Sequence, residues 1–323
     1  MRKNYFKCNG KLPMNLQFFA EGDGAGADGS NGGGAGGAGA AGAAGVGSSE
    51  GETSGPPYTE PSSINGATFD APTAGSATID TSNVALGYVG AAATNSSRLK
   101  FQVIKGGTSY NYDMPGDGTP VICPINMGDG SYEFRIMQNT SGNNYVQVQS
   151  STAQVTLENE FEPFLRPNIF CEFTDSSACV AQARQLAANA QNEGEVVRAV
   201  YSWMVNTITY DKAKAQQLAN TTGYIPNPDD TLNSKSGICF DYASLAAAMF
   251  RSLDIPCQIV TGYVSPDNIY HAWNMIYIDG SWVSAQISVE ADQWTRIDVT
   301  FAAGGADSQL IGDGTNYTER YIY

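Results

Sequence analysis

The chain has a single histidine, His271, which stands in the motif His-Ala-Trp-Asn. Before it comes Cys239, in the motif Gly-Ile-Cys-Phe-Asp-Tyr-Ala, and after it comes Asp298, four residues beyond a tryptophan. A thiol, an imidazole and a carboxylate are the groups of a cysteine nucleophile, its base and the residue that orients the base. The sequence therefore predicts a fold that brings these three side chains together.

The charge balance excludes two classes of partner. Lysine and arginine number 17 against 32 aspartates and glutamates, which gives a formal net charge of −15. Nucleic-acid binding requires a basic face, and an anionic membrane surface attracts basic segments. We therefore expect neither partner. The sequence has no run of about 18 apolar residues, so no membrane span is predicted.

The cysteines follow neither a metal-binding nor a disulfide pattern. They are Cys8, Cys123, Cys171, Cys179, Cys239 and Cys257. None forms a CxxC pair, and no motif implies a metal or an organic cofactor. The irregular spacing argues against a dense disulfide framework. Spacing alone leaves open whether Cys171 and Cys179 pair.

The N-terminal quarter is predicted to lack a core. Residues 21–70 are rich in glycine, alanine and serine. They offer few large side chains to bury, so we interpret them as a disordered linker. The basic N-terminus lacks the apolar stretch of a secretory signal. The protein is therefore expected to begin in the cytoplasm, with association with a virus particle or export by another route left open.

Residues 1–20 end in the segment Leu-Gln-Phe-Phe-Ala. This segment resembles the cleaved start of a ribosomal large-subunit protein precursor in Gram-positive bacteria and the similar starts of phage capsid and scaffold proteins. The resemblance implies a leader that a dedicated cysteine protease cuts between Phe19 and Ala20. A short apolar segment in a disordered tail is the alternative interpretation.

Residues 71–158 show the period-two alternation of β-strands. The pattern runs from about Ala77 to Leu157 and is divided by turn signals such as Gly106-Gly107. Short strands at this spacing predict a small, immunoglobulin-like β-sandwich. No catalytic set is visible in it. We interpret it as a spacer or stabilising module, with binding of a ligand or partner as the alternative.

Residues 159–323 are predicted to form the catalytic domain. Apolar residues recur at helical spacing from Glu195 to Ile208 and from Cys239 to Leu253. Cys239 would then stand in the first turn of a helix, where unpaired N–H groups and the helix dipole favour the thiolate. A small buried apolar residue is the alternative role for such a cysteine.

Four consecutive strands are predicted after this helix. The alternating segments are Gln258–Val264, His271–Ile278, Trp282–Val289 and Thr295–Phe301, with Asp279-Gly280 as a hairpin signal. His271 would begin one strand and Asp298 would lie in another. Antiparallel neighbours can place these two side chains next to each other.

Three motifs resemble the pattern of the transglutaminase-like superfamily: Gly237-x-Cys239-x-Asp241-Tyr242-Ala243, His271-Ala272-Trp273-Asn274 and Trp294-x-x-x-Asp298-x-Thr300. The resemblance implies an α+β fold, in which a papain-like core packs the cysteine helix against an antiparallel sheet. It also implies that Cys239 is the nucleophile, that His271 is the general base and acid, and that Asp298 holds the imidazole.

One departure from the family pattern concerns the acid. In many members the first tryptophan after the histidine strand is followed, four residues on, by the catalytic acid. Here that count leads from Trp282 to Gln286, whereas the count from Trp294 leads to Asp298. We interpret residues 282–292 as an inserted strand and turn. If this interpretation is wrong, Gln286 orients the imidazole.

The resemblance further implies acyl transfer from an amide of a protein or peptide through a thioester on Cys239. Cross-linking, deamidation and peptide hydrolysis share the steps up to the thioester and remain open. Tyr210 and Trp273 are candidates for contacting the substrate or the oxyanion, and a structural role is the alternative for Tyr210. The competing functions are a catalytically silent binding module and a phage-associated structural protein.

Overall fold

The computed structural model describes residues 51–71, 75–219, 221–265, 268–283, 288–303 and 316–323. A β unit and a mixed unit of helices and strands follow one another along the chain. The predicted α+β fold is confirmed. The expected cleavage residues, Phe19 and Ala20, lie outside the described residues.

The predicted disordered linker, residues 21–70, differs from the structure over residues 51–70. Strand β1 (Glu52–Ser54) pairs antiparallel with residues 281–283 of the mixed unit. The hydroxyl of Tyr58 donates to the carbonyl of Leu253 at 3.2 Å, and the amide of Asn65 donates to Asp254 at 2.7 Å. Backbone pairing with a distant strand gives this segment its partners, and its composition carries no sign of that pairing.

The period-two segments form seven strands in two antiparallel sheets. These strands are β2 (Ala77–Asp80), β3 (Tyr88–Ala93), β4 (Leu99–Lys105), β5 (Thr108–Met114), β6 (Val121–Pro124), β7 (Gly130–Ser141) and β8 (Asn144–Val155). One sheet has the order β2-β3-β6 and the other β5-β4-β7-β8. Phe101, Val103 and Phe134 alternate with less buried residues and are fully buried. The two sheets therefore enclose an apolar core, as in a β-sandwich.

The mixed unit begins with helices and ends with a sheet. Its helices are α1 (Ala178–Ala187), α2 (Glu193–Thr207), α3 (Lys212–Leu218), α4 (Pro228–Ser234), α5 (Cys239–Ser252) and α6 (Val299–Ala303). Its strands are β9 (Thr209–Tyr210), β10 (Ser236–Gly237), β11 (Cys257–Val264), β12 (Ile269–Ile276), β13 (Ser281–Val283), β14 (Ser288–Val289), β15 (Thr295–Ile297) and β16 (Tyr317–Ile322). The main sheet has the order β15-β12-β11-β16. Within the described ranges, no helix is long and apolar enough to cross a membrane.

The cysteine helix, α5, lies at the centre of this unit and is buried along its whole length. Small side chains on it, Ala243 and the run Ala246–Ala248, let its neighbours approach closely. The amide of Asn274 on β12 donates to the carbonyl of Ala243 at 3.0 Å and to that of Gln258 on β11 at 3.1 Å. This one side chain therefore joins the helix to two strands of the main sheet.

The predicted third strand, Trp282–Val289, does not join the sheet that carries His271. Strands β13 and β14 pair with each other, and β13 pairs with β1, so that these three form a separate sheet. The expected hairpin at Asp279-Gly280 is therefore wrong. Gly280 instead lies against the N-terminal segment, where a Cβ atom would come within 2.4 Å of the carbonyl oxygen of Ser54.

The predicted fourth strand, Thr295–Phe301, is wrong in its second half. Strand β15 ends at Ile297, and α6 begins at Val299. Asp298 accepts a hydrogen bond from the backbone N–H of Phe301 at 3.0 Å. A side-chain acceptor at this position caps a helix, which outweighs the strand preference of Val299 and Thr300.

Aromatic rings join the β-sandwich to the mixed unit. Tyr110 and Tyr112 of β5 each pack edge-on against Tyr323, with ring centroids 5.7 Å and 6.0 Å apart. Tyr110 also packs against Tyr321 at 5.5 Å, and Tyr112 against Phe170 at 5.8 Å. The sandwich therefore buries part of its surface against β16 and the residue that follows it.

Arg251 on α5 is fully buried and donates to three backbone carbonyls. The acceptors are Arg166 at 2.8 Å, Cys257 at 2.9 Å and Tyr323 at 2.9 Å. These bonds join the helix to the segment before α1, to β11 and to the residue that follows β16. The guanidinium therefore holds four parts of the mixed unit together.

Replacing Arg251 by methionine should destabilise the protein strongly, because carbonyls of three buried segments lose their donor. We expect a loss of about 3 kcal/mol in the free energy of unfolding, measured by guanidinium denaturation. Arg320→Met is the control, because Arg320 is exposed, and it should change the free energy by less than about 0.5 kcal/mol. Equal losses in the two variants would contradict this account of Arg251.

Candidate active site

Cys239 is the first residue of α5, at a turn that Gly237 and Asp241 build together. A Cβ atom at position 237 would lie 2.6 Å from the Cβ of Asp241, so the close approach requires glycine. The Asp241 carboxylate accepts a hydrogen bond from the backbone N–H of Ile238 at 2.8 Å and holds the turn. Cys239 is 1% exposed and stands at the positive end of the helix.

His271 on β12 meets Asp298 in the interior of the protein. Nε2 of the imidazole lies 2.7 Å from Oδ2 of the carboxylate, and both side chains are fully buried. The hydroxyl of Tyr317 donates to the same oxygen at 2.8 Å. The ring of Phe301 stacks on the imidazole, with centroids 4.2 Å apart. The imidazole is therefore fixed both by a hydrogen bond and by ring packing.

One of the two residues considered as orienter of the imidazole lies in the described part of the chain. Asp298 contacts the imidazole directly, as expected from the count that starts at Trp294. Gln286 lies outside the described residues. The strands that flank it, β13 and β14, belong to the sheet of β1 and not to that of His271. The interpretation of residues 282–292 as an insertion stays a prediction.

The charge of His271 is set by opposing effects. Burial lowers the pKa of the imidazole, but the charge and hydrogen bond of Asp298 raise it, and Cys239 adds to the increase, so that the pKa is about 10. Because Asp298 occupies Nε2, Nδ1 is the nitrogen left for the thiol. Nδ1 has no hydrogen bond of ordinary geometry to any described residue, although Cys239 is near enough to act on the imidazole. The site can therefore hold a charged imidazolium beside the thiol of Cys239.

Tyr210 lies beside the cysteine turn. It pairs in parallel register with Gly237, and the N–H of Asp211 donates to the carbonyl of Gly237 at 2.8 Å. Burial, and then the charge of Cys239, raise the pKa of the Tyr210 hydroxyl, so it stays protonated. That hydroxyl is buried and has no hydrogen-bond partner among the described residues. It is a donor available to a ligand.

Trp273 lies two residues after His271, with ring centroids 6.2 Å apart. Its indole is buried, and Nε1 has no partner in the part of the chain that the structure describes. The ring packs edge-on against Tyr317 at 4.9 Å. The structure therefore places Trp273 beside the imidazole and Tyr210 beside the thiol.

The other described cysteines differ from Cys239 in their surroundings. Cys123, Cys171, Cys179 and Cys257 are buried and unpaired, so Cys171 and Cys179 form no disulfide. Burial raises the pKa of each of these four thiols. Among the residues in the described ranges, no group of three or more histidine, cysteine, aspartate or glutamate side chains could hold a metal ion.

The residues that surround Cys239, His271 and Asp298 were not predicted from the sequence. Tyr317 comes from β16, which reaches Asp298 only through the folded sheet, so no local motif marks it. Phe301 was expected on a strand and lies in α6. Lys214, whose ammonium lies 2.7 Å from Asp241, stands in a lysine- and alanine-containing segment without a distinctive pattern. One spacing could have indicated the position of Phe301. A helix capped by Asp298 places the residue three positions later in its first turn.

Comparison with known proteins finds similarity over part of the mixed unit. Residues 180–287 match the model of the transglutaminase-like superfamily, a range that includes Cys239 and His271 and ends before Asp298. Human kyphoscoliosis peptidase is 28% identical over 149 residues, which cover 43% of this chain and 22% of that protein. The mouse protein is 30% identical over 147 residues, which cover 42% and 20%. The chain thus spans about a fifth of the length of these relatives.

Among solved structures, the periplasmic domain of TgpA from Pseudomonas aeruginosa is similar to this chain. The identity is 15%, the TM-score is 0.32, and the alignment covers 70% of this chain and 74% of that one.

The stability that Asp298 gives to the folded protein should depend on pH through His271. The folded pKa of about 10 lies above the ordinary value of 6.5. The contribution is therefore complete below pH 6.5 and is lost as the pH rises toward 10. We expect the difference in free energy of unfolding between wild type and Asp298→Asn to shrink over this range by up to roughly 5 kcal/mol. Denaturation series at several pH values measure it.

Asp292→Asn serves as the control for this series, because Asp292 is exposed in a turn. Its free energy of unfolding should follow that of wild type across the same range. A difference for Asp298→Asn that stays constant, or grows as the pH rises, would show that no stabilised imidazolium is present.

Proposed function

We propose that this chain, whose residues 180–287 match the model of the transglutaminase-like superfamily, is an enzyme that breaks amide bonds of proteins or peptides through a thioester on Cys239. The observation that carries the proposal is the 2.7 Å hydrogen bond between His271 and Asp298, in a buried site that adjoins the thiol at the start of α5. This arrangement gives the nucleophile a base whose orientation is fixed.

The first half of the reaction uses the thiolate and the imidazolium in turn. The sulfur of Cys239 attacks the carbonyl carbon, and the carbonyl electrons move onto the oxygen. His271 gives its Nδ1 proton to the amide nitrogen, the carbon–nitrogen bond breaks, and the amine leaves. The acyl group remains on Cys239 as a thioester. Asp298 keeps Nε2 occupied throughout, so that Nδ1 faces the reacting atoms.

The oxyanion needs donors, and the turn at Cys239 supplies them. The backbone N–H of Cys239 lies in the first turn of α5, where N–H groups have no partner within the helix. We assign the Tyr210 hydroxyl as a second donor, because it is buried, protonated and unpartnered among the described residues, and because the charge of Cys239 raises its pKa. Trp273 is the further candidate, through its Nε1 beside His271.

The fate of the thioester depends on the acceptor. Water gives hydrolysis or deamidation and an amine gives cross-linking, and in either case His271 takes the proton from the acceptor. The human and mouse relatives bear the name of a peptidase. We therefore propose hydrolysis as the main outcome, with transfer to an amine as the alternative.

A peptide mixture from a bacterial proteome, incubated with the full chain in heavy-oxygen water, tests this proposal. Mass spectrometry should find heavy oxygen in newly formed carboxyl groups. Added hydroxylamine should divert part of the product to hydroxamates, because it competes with water for the thioester. Cys239→Ala should lower both products by at least about a thousandfold.

Cys123→Ala is the matched control, because Cys123 is also buried but lies in the β-sandwich. It should keep the activity of wild type. If hydroxamates exceed acids even at low hydroxylamine, transfer is the main reaction. If wild type yields neither product, the proposal fails and the catalytically silent binding module is favoured.

A further inference from the structure

Asp241 lies two residues after the proposed nucleophile, and its carboxylate is surrounded by donors. The side chain is fully buried. It accepts hydrogen bonds from the backbone N–H of Ile238 at 2.8 Å and from the hydroxyl of Tyr224. Burial, and then the charge of Asp241, raise the pKa of Tyr224, so the tyrosine remains a donor. These donors hold the carboxylate of Asp241 in a fixed position, in the same helical turn as the thiol.

Lys214 supplies the positive charge that this carboxylate meets. Its ammonium lies 2.7 Å from Oδ2 of Asp241 and 4.8 Å from the ring centroid of Tyr224. Lys214 reaches this position because β9 lies beside β10 and α3 follows β9 at once. Asp211 caps α3 by accepting from the backbone N–H of Lys214 at 2.8 Å. The lysine is thus held by its backbone as well as by its side chain.

The location of Asp241 raises an electrostatic difficulty for the thiol. Helix N–H groups favour a negative sulfur at the start of α5, but a negative carboxylate in the same turn disfavours it. The other groups that face the thiol are His271 from β12 and Tyr210 from β9, with Asp298 behind the histidine. Of these, His271 is engaged by Asp298 and Tyr210 is neutral. Neither of these two groups forms an ion pair with Asp241.

We propose that Lys214 is a positioning residue that neutralises Asp241, so that this carboxylate holds the Cys239 turn without disfavouring the thiolate. The inference rests on the proposed function of Cys239 as the nucleophile. It makes the ion pair between α3 and α5 part of the reactive site, although Lys214 does not touch the reacting atoms. Removing the charge of Lys214 alone should therefore reduce the formation of the thiolate more than removing the charges of both Lys214 and Asp241.

Alkylation of Cys239 by iodoacetamide, followed by mass spectrometry as a function of pH, tests the inference without any substrate. Lys214→Met should move the pH of half-maximal alkylation upward by about one unit, which corresponds to a rate about tenfold lower on the acidic side. The double variant Lys214→Met/Asp241→Asn should return close to the wild-type profile. Thermal melts of each variant verify that it is folded.

Lys212→Met is the matched control, because Lys212 lies in the same helix but is exposed. Its profile should equal that of wild type. An unchanged profile for Lys214→Met overturns the inference. So does a rate that falls equally at all pH values and is not restored in the double variant, because that result marks a merely structural role. If Cys239 of wild type reacts no faster than an ordinary thiol, the proposed function fails, and the inference fails with it.

Discussion

Three donors converge on the carboxylate of Asp298, and this convergence is the constraint on which the site depends. They are the imidazole of His271, the hydroxyl of Tyr317 and the backbone N–H of Phe301. A fully buried carboxylate is tolerated only when its oxygens are paired and hydrogen-bonded. Each donor comes from a different element, β12, β16 or α6. The surroundings of the carboxylate are therefore complete only when β12, β16 and α6 are packed together.

The site balances two buried carboxylates with two cations. Asp298 faces the imidazole of His271, and Asp241 faces the ammonium of Lys214. Both pairs flank the thiol at the start of α5. In a chain with a net charge of −15, local pairing of this kind would favour the formation of a third negative group, the proposed thiolate, inside the protein. The fold supplies the pairs through short connections: β9 and β10 on one side, β15 and α6 on the other.

The sequence predicts the parts of the site that depend on local pattern. Glycine followed by a helical pattern places Cys239 at the start of α5, and alternation places His271 on a strand. Asp298 follows from a motif count. The prediction of a strand over Thr295–Phe301 is wrong in its second half, because the alternation of apolar and polar residues gives no information about the capping hydrogen bond of Asp298. The pairing of Glu52–Ser54 with β13 was not predicted, because the two segments are far apart in sequence.

The contacts of Tyr317 and Lys214 depend on the same kind of long-range information. Tyr317 reaches Asp298 only because β16 is the far edge of the sheet. Lys214 reaches Asp241 only because two strands of two residues each lie in parallel. No local pattern specifies either arrangement, since both result from packing between elements. The motifs led to the prediction of Cys239, His271 and Asp298, and the fold places charged and polar groups around them.

The most direct test of the account is the rate at which iodoacetamide labels each of the six cysteines in mildly acidic buffer, for wild type and for His271→Ala. The account predicts that Cys239 is labelled far faster than the other five in wild type, and that this advantage disappears in the variant. If Cys239 is labelled as slowly as the others, or at a rate indifferent to His271, the paired thiolate does not exist and the account is contradicted.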